Sequence, residues 1–216
     1  MSLRSLFLLV VMSVLVVGGC SETSEPEYED LLVEPPRIPF AYTEDILMMN
    51  FLVAYEDMDF DRLKNLLHPD FATYLQERTK ADFPERGATL DRAEELVIGV
   101  HMLGGDPFTN AEGDLISGIA TMDFNMFQQL TPWREASSTN VISTGWTADY
   151  LISLLVDRGG EIPLKSEGMI RFFIARRDSL HYGRTQDYWE MTGQRDLTNT
   201  KGLAPVMWGT LKALYY

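Results

Sequence analysis

The chain has 216 residues, with 32 Asp and Glu against 18 Lys and Arg, and its formal net charge is −14. This sign disfavours nucleic acid and anionic membrane surfaces as electrostatic partners. A single cysteine excludes an internal disulfide framework, and three histidines far apart in the sequence leave little material for a metal site, so we expect no metal and no cofactor. After a leader and a spacer are subtracted, the length accommodates one domain.

Residues 1–19 have the layout of a secretory signal peptide. Arg4 precedes an apolar run, residues 6–17, that is too short to cross a bilayer as a helix. The segment Val17-Gly18-Gly19-Cys20 resembles a bacterial lipobox, which implies that Cys20 is acylated and anchors the mature chain in membrane lipid. Ser21 after the cysteine implies transfer to the outer membrane of a Gram-negative bacterium. The alternatives are an incidental cysteine after a signal peptide, or an uncleaved anchor.

Residues 20–40 are expected to form the lipidated cysteine and an acidic tether. Six acidic residues and no basic residue lie between positions 21 and 36, and three prolines there interrupt any helix. Low hydrophobicity with charge of one sign is typical of a solvated spacer. A binding role for this stretch is the alternative. The folded domain is then expected to cover residues 41–216.

Three helices are predicted in the first half of the domain. Thr43 is the expected N-cap of a helix that is apolar nearly all round, and Asp59 that of a short helix ending before Pro69. Asp91 and Glu94 form a capping box for the third helix. Its apolar residues at helical spacing are expected to be buried, and they are Ala93, Leu96, Val97, Val100 and Leu103.

Beyond Gly113 the hydrophobic period changes to two, which predicts strands. Strands are expected at residues 120–126, 146–154, 165–177 and 188–196, with a hairpin turn at 157–160 and a short C-terminal helix at 205–214. Helices followed by a meandering antiparallel sheet indicate the α+β class.

Alternation along these strands predicts which side chains face the helices. The inward set is Ala120, Met122, Phe124, Met126, Ala148, Tyr150, Ile152, Leu154, Ile170, Phe172, Ile174, Trp189 and Met191. The set on the opposite face is Asp123, Asp149, Lys165, Glu167 and Arg171. A slip of one residue would exchange the two sets.

Several segments match motifs that recur together in one superfamily. They are Tyr55-Glu56-Asp57-Met58-Asp59, Leu66-Leu67-His68-Pro69-Asp70-Phe71, the third helix, and Tyr188-Trp189-Glu190-Met191. With them the chain resembles the nuclear-transport-factor-2-like (NTF2-like) proteins, which include ketosteroid-isomerase-like and polyketide-cyclase-like (SnoaL-like) members. The endings Gln194-Arg195-Asp196-Leu197 and Trp208-Gly209-Thr210-Leu211-Lys212 are similar to a secreted lipoprotein branch. The resemblance implies a cystatin-like cone, in which N-terminal helices pack in the concave face of a curved antiparallel sheet.

The resemblance implies a site inside the cone, where members bind or transform small apolar molecules. Our leading hypothesis is a membrane-anchored lipoprotein whose non-catalytic domain binds a lipophilic small molecule or serves as an assembly module. The residues expected to line such a pocket are Tyr150, Met122, Phe124, Phe172 and Trp189. A third hypothesis is a structural domain whose cone is filled by its own side chains.

The competing hypothesis is an enzyme of the isomerase, dehydratase or cyclase type. Asp70 would be the base, and Tyr55 or Tyr150 would donate to the oxyanion. The alternative for Asp70 is a turn after Pro69 in which its carboxylate bonds backbone amides. A homodimer through the outer face of the sheet is also expected, with Thr147, Asp149 and Arg171 as interface candidates.

Overall fold

The computed structural model describes residues 40–110, 113–181, 184–197 and 206–216. The predicted signal peptide, Cys20 and residues 21–39 of the tether lie outside these residues. In the described ranges no helix has both the length and the apolar character needed to cross a membrane. One compact unit extends over Ile38–Tyr216.

The first two helices begin at the predicted N-caps. Helix α1 (Glu44–Glu56) follows Thr43, whose hydroxyl accepts a backbone N–H at 3.2 Å. Helix α2 (Phe60–Leu66) follows Asp59, whose carboxylate accepts a backbone N–H at 2.9 Å. Each cap satisfies a donor that the first turn of a helix leaves unpaired. Both predictions are confirmed.

Helix α4 (Arg92–Leu103) follows α3 (Glu77–Asp82) and has the predicted capping box. Of its predicted apolar face, Leu103 is buried and Leu96 packs against the core, but the prediction is wrong for Ala93, Val97 and Val100. Val97 is 46% exposed and Val100 is 49% exposed. The buried residues are Glu95, Ile98, Gly99, Met102 and Leu103.

Two contacts explain this rotation of α4. Glu95 forms a buried ion pair with Lys212. A Cβ on Gly99 would lie only 3.2 Å from Leu63 and 3.3 Å from Phe60, so the bare glycine lets α2 lie close against the helix. A charged residue and a glycine therefore face inward where the hydrophobic pattern predicted valines.

Six strands form the main path of a curved sheet in the order β2-β1-β9-β8-β7-β5, and β6 pairs with β7. The strands are β1 Leu67–Tyr74, β2 Thr89–Asp91, β5 Thr121–Gln129, β6 Arg134–Glu135, β7 Trp146–Asp157, β8 Leu164–His181 and β9 Arg184–Asp196. A separate small hairpin joins β3 Phe108–Thr109 to β4 Leu115–Ile116, and helix α5 is Trp208–Leu214. The four predicted strands and the α+β class are confirmed.

Strand β1 is the longest of the elements that the sequence did not predict. The expected turn at His68-Pro69-Asp70 is instead the start of this strand, which runs parallel to β9 and antiparallel to β2. The register shifts between Leu67 and Ala72, so these residues form an irregular strand. The sheet is antiparallel at its other pairings.

A β-bulge in β5 corrects the predicted inward set. Phe124 pairs with Leu154 and Met126 with Ser153, so one residue is added on β5. The extra residue exchanges the faces beyond it. Met126 is therefore 41% exposed, whereas Phe127 packs against the core. Ala120 is also exposed, at the start of the strand.

Candidate functional site

The concave side of the sheet is filled by aromatic side chains. Phe51 of α1 lies 5.2 Å from Phe172 and 6.3 Å from Trp208, measured between ring centroids. Tyr150 lies 5.4 Å from Phe172, and Tyr55 lies 5.1 Å from Trp208. All five residues are buried. Helix α5, through Trp208, thus occupies the interior together with the first helix and the strands.

The residues predicted to line a pocket are core residues. Met122, Tyr150, Phe172 and Trp189 are buried, and Phe124 is half-buried against the core. Tyr150 contacts Phe172 directly, whereas Trp189 packs against Trp146, with ring centroids 6.2 Å apart. The structure brings most of this set into one packed cluster.

The proposed base, Asp70, does not lie with the proposed oxyanion donors. Its side chain is 90% exposed, whereas Tyr55 and Tyr150 are buried in the aromatic interior. The backbone N–H of Asp70 donates to His68 Nδ1 at 3.1 Å. The geometry that the enzyme hypothesis needs, a carboxylate of Asp70 inside the cone, is therefore not formed.

A buried polar network beneath α5 is the arrangement that the sequence analysis missed. Lys212 Nζ donates to Glu95 Oε2 at 2.5 Å, and the Thr73 hydroxyl donates to the other carboxylate oxygen. Gln194 Nε2 donates to Thr73 Oγ1 at 2.8 Å, and Gln194 Oε1 accepts the indole N–H of Trp208 at 3.2 Å. All five side chains are buried.

Four elements position this network. Thr73 comes from β1, Glu95 from α4, Gln194 from β9, and Trp208 with Lys212 from α5. Thr73 and Gln194 are Cα partners in the parallel pair of β1 and β9, which sets them side by side. The signal that could have revealed this network is the helical spacing of Glu95, Ile98, Gly99 and Met102, which places them on one face of the helix. A search for hydrophobic residues alone does not detect this face, because Glu95 is charged and Gly99 has no side chain.

Burial shifts the acid–base properties of this region. It lowers the pKa of Lys212, although Glu95 opposes the shift. It raises the pKa of Asp196 to about 6, against the hydrogen bond from Gly209 N and the charge of Lys212. Burial and then the charge of Glu95 hold the pKa of Tyr55 well above its usual value. Shifted groups of this kind occur in active sites and in structural ion-pair networks. Here Lys212 is paired with Glu95, and Asp196 accepts the backbone N–H of Gly209.

Asp196 is expected to make stability fall as the pH rises from about 4 to about 6. Its folded-state pKa of about 6 exceeds the ordinary value of 3.8, so the folded chain binds more protons than the unfolded chain across this window. The expected loss is about 3 kcal/mol, at about 1.4 kcal/mol for each pH unit. Asp196→Asn should remove this component of the free energy of unfolding, measured by urea denaturation at several pH values. The exposed Asp123→Asn should keep the wild-type pH dependence, and an unchanged dependence in Asp196→Asn would contradict the assignment.

Two open grooves lie outside the packed interior, each of about 470 Å³. Tyr74 and Val141 line both, so the grooves adjoin. The first is lined further by Leu75, Gln76, Glu77, Arg78, Lys80, Ala88, Thr89, Arg195, Asp196 and Leu197. The second is lined further by His68, Asp70, Ile142, Ser143, Thr144, Ala175 and Thr192.

The loop at residues 137–145 lies on the sheet, and its residue Val141 lines both grooves. Gly145 has a φ of +78°, and a Cβ there would be 2.3 Å from the carbonyl oxygen of Ile174. A Cβ on Gly193 would lie 2.4 Å from Ile142. Only glycines permit this approach. The loop is thus held against β8 and β9.

Within the parts of the chain that the structure describes, no three His, Cys, Asp or Glu side chains cluster as metal ligands would.

No protein-family model and no curated protein matches this chain. It is similar to an NTF2-like protein of unknown function in nutrient uptake from Rhodospirillum rubrum (14% identity, 70% of this chain and 94% of the other, TM-score 0.39). It is also similar to a conserved protein from Planctomyces limnophilus (12% identity, 70% and 89%, TM-score 0.41). A third similar structure is an NTF2-like protein from Cytophaga hutchinsonii (12% identity, 69% and 90%, TM-score 0.34).

Proposed function

We propose that this chain is a lipid-anchored envelope protein whose NTF2-like domain is a non-catalytic assembly module. The observation that carries the proposal is the occupied interior. The concave side of the sheet, where an enzyme or a lipid binder of this shape would hold its ligand, is taken by Phe51, Phe172 and Trp208. Contacts with other molecules are therefore assigned to the exterior of the domain.

The network under α5 supports a structural role for the interior. Glu95 and Lys212 form an ion pair, and hydrogen bonds continue from Glu95 through Thr73 and Gln194 to the indole of Trp208. A general base or nucleophile needs a substrate atom within hydrogen-bond reach. These groups are enclosed by protein and bind each other, so their effect is to fix α5 in place.

The anchoring half of the proposal is supported by the lipobox-like segment before Cys20. Several acyl chains on one cysteine, at about 0.8 kcal/mol for each buried CH₂, would hold the protein stably in a membrane. A homodimer through the outer face of the sheet stays a prediction. Two of its candidate residues, Asp149 and Arg171, pair with each other inside one chain.

Cys20→Ser is expected to leave an uncleaved and unacylated precursor in a Gram-negative host, because the thiol that receives the lipid is gone. The measurement is the mass of the purified protein together with its distribution between membrane and soluble fractions. Ser21→Ala serves as the matched control and should be processed normally. Normal processing and membrane fractionation of Cys20→Ser would refute the anchor. The occupied interior is tested separately by the cavity-forming variant Phe172→Ala.

A further inference from the structure

A row of polar side chains crosses the outer face of the sheet. Asp149 of β7 is the Cα partner of Arg171 of β8, which is the partner of Arg195 of β9. Arg195 in turn pairs with Tyr74 of β1. The row therefore places two arginines directly opposite each other on neighbouring strands.

Only one of these two arginines has a counter-charge. Arg171 makes a bidentate pair with Asp149, with Nε to Oδ1 at 2.6 Å and Nη2 to Oδ2 at 2.9 Å. Arg195 is exposed, and its guanidinium makes no hydrogen bond or ion pair among the described residues. Like charges opposite each other in a sheet are destabilising. An anion bound at Arg195 would supply the counter-charge that its guanidinium lacks.

The other cations of this groove already have partners. Lys80 Nζ lies 2.6 Å from Glu77 Oε1, and Arg78 Nε lies 3.9 Å from Asp82 Oδ2. Among the described residues that line the first groove, Arg195 therefore carries the guanidinium that can bind an anion. A guanidinium presents parallel donors that match the two oxygens of a carboxylate.

The lining of the adjoining groove includes residues that carry hydroxyl groups. A β-bulge in β9 adds Thr192, because Phe173 pairs with Gly193 and the next residue of β8, Ile174, pairs with Met191. The Thr192 hydroxyl is buried without a hydrogen-bond partner. Ser143 and Thr144 of the covering loop line the same space. A buried hydroxyl without a partner is costly, and a ligand hydroxyl would satisfy it.

Tyr74 joins the two grooves. Its half-buried side chain lines both of them, and it offers a ring face together with a hydroxyl. A ligand spanning the grooves would place an anionic group at Arg195 and hydroxyl groups near Thr192, with Tyr74 between them. We infer that this outer groove binds an acidic saccharide, with the carboxylate of a uronic acid unit on Arg195.

The test is calorimetric titration of the soluble chain from Ser21 onward, which retains the whole compact unit Ile38–Tyr216 and its core. The probes are tetragalacturonate and the neutral maltotetraose. Tetragalacturonate should bind, and maltotetraose should bind at least tenfold more weakly. Arg195→Gln should weaken tetragalacturonate binding at least tenfold. The matched control Arg134→Gln removes an exposed arginine outside both grooves and should change binding less than twofold.

Thr192→Val keeps the shape of the side chain and removes its hydroxyl, so it tests the second half of the site. We expect a roughly three- to tenfold loss of tetragalacturonate binding, the size of one net hydrogen bond. Unchanged binding in Arg195→Gln, or equal binding of maltotetraose, would overturn the anion contact. Tighter binding of decanoate than of tetragalacturonate would overturn the saccharide assignment. Circular dichroism of each variant checks that the fold is retained.

Discussion

Lys212→Met is expected to lower the free energy of unfolding by about 3–5 kcal/mol, because it leaves the Glu95 carboxylate buried without its counter-charge. The Nζ atom of Lys212 lies 2.5 Å from Glu95 Oε2, and both side chains are buried. Urea denaturation at neutral pH measures the change. Lys64→Met, at an exposed lysine of α2, is the matched control and should change stability by less than about 0.5 kcal/mol.

The double variant Glu95→Gln/Lys212→Met separates the lost charge pair from lost packing. The carboxylate at position 95 that had lost its partner is absent from it, so it should recover about 2 kcal/mol of the loss. Thr73 can still donate to the amide oxygen at position 95, as it does to the carboxylate. A single variant Lys212→Met that loses less than about 1 kcal/mol would show that the pair does not hold α5 in place.

Phe172→Ala is expected to cost about 3–5 kcal/mol and to open a cavity in the concave interior. The ring of Phe172 contacts Phe51, Phe127 and Tyr150, with centroids 5.2, 6.3 and 5.4 Å away. A dry apolar cavity of this kind binds small apolar molecules. Benzene should therefore raise the Tm of the variant and leave that of the unchanged chain where it is.

The exposed Tyr42→Ala is the control for this experiment, because it removes an aromatic ring without opening the interior. It should cost less than about 1 kcal/mol and gain no benzene-dependent stability. A rise in the Tm of the unchanged chain with benzene would mean that the interior already has room for a ligand. That result would contradict the occupied interior and favour the lipophile-binding hypothesis.

Sequence patterns predicted the structure correctly where a residue interacts with residues close to it in the chain. Thr43, Asp59 and the Asp91–Glu94 capping box each began a helix, since a cap bonds backbone groups two or three residues away. The turn at residues 157–160 joined two strands, and Gly159 N donates to Asp157 at 3.0 Å. These features need no knowledge of the rest of the chain.

Features that depend on residues far away in the chain were predicted wrongly or not at all. The apolar face of α4 read from Val97 and Val100 is exposed, because the helix turns its other side toward the core. Strand β1 carried no alternating pattern of its own, and its parallel partner β9 lies more than a hundred residues further along the chain. The bulge in β5 turns Met126 to the opposite face of the sheet, and no pattern in the nearby sequence indicates the bulge.

The sequence by itself determined the starts of α1, α2 and α4, the long strands of the second half, and the α+β class, because periodicity and capping are local properties. Tertiary structure alone decided which side chains meet in the interior. Glu95 and Lys212 are 117 positions apart, and a buried charge is tolerable only once its partner is in place. The outer face also depends on tertiary structure. Strand register places Arg195 beside Arg171, and Arg171 forms its ion pair with Asp149.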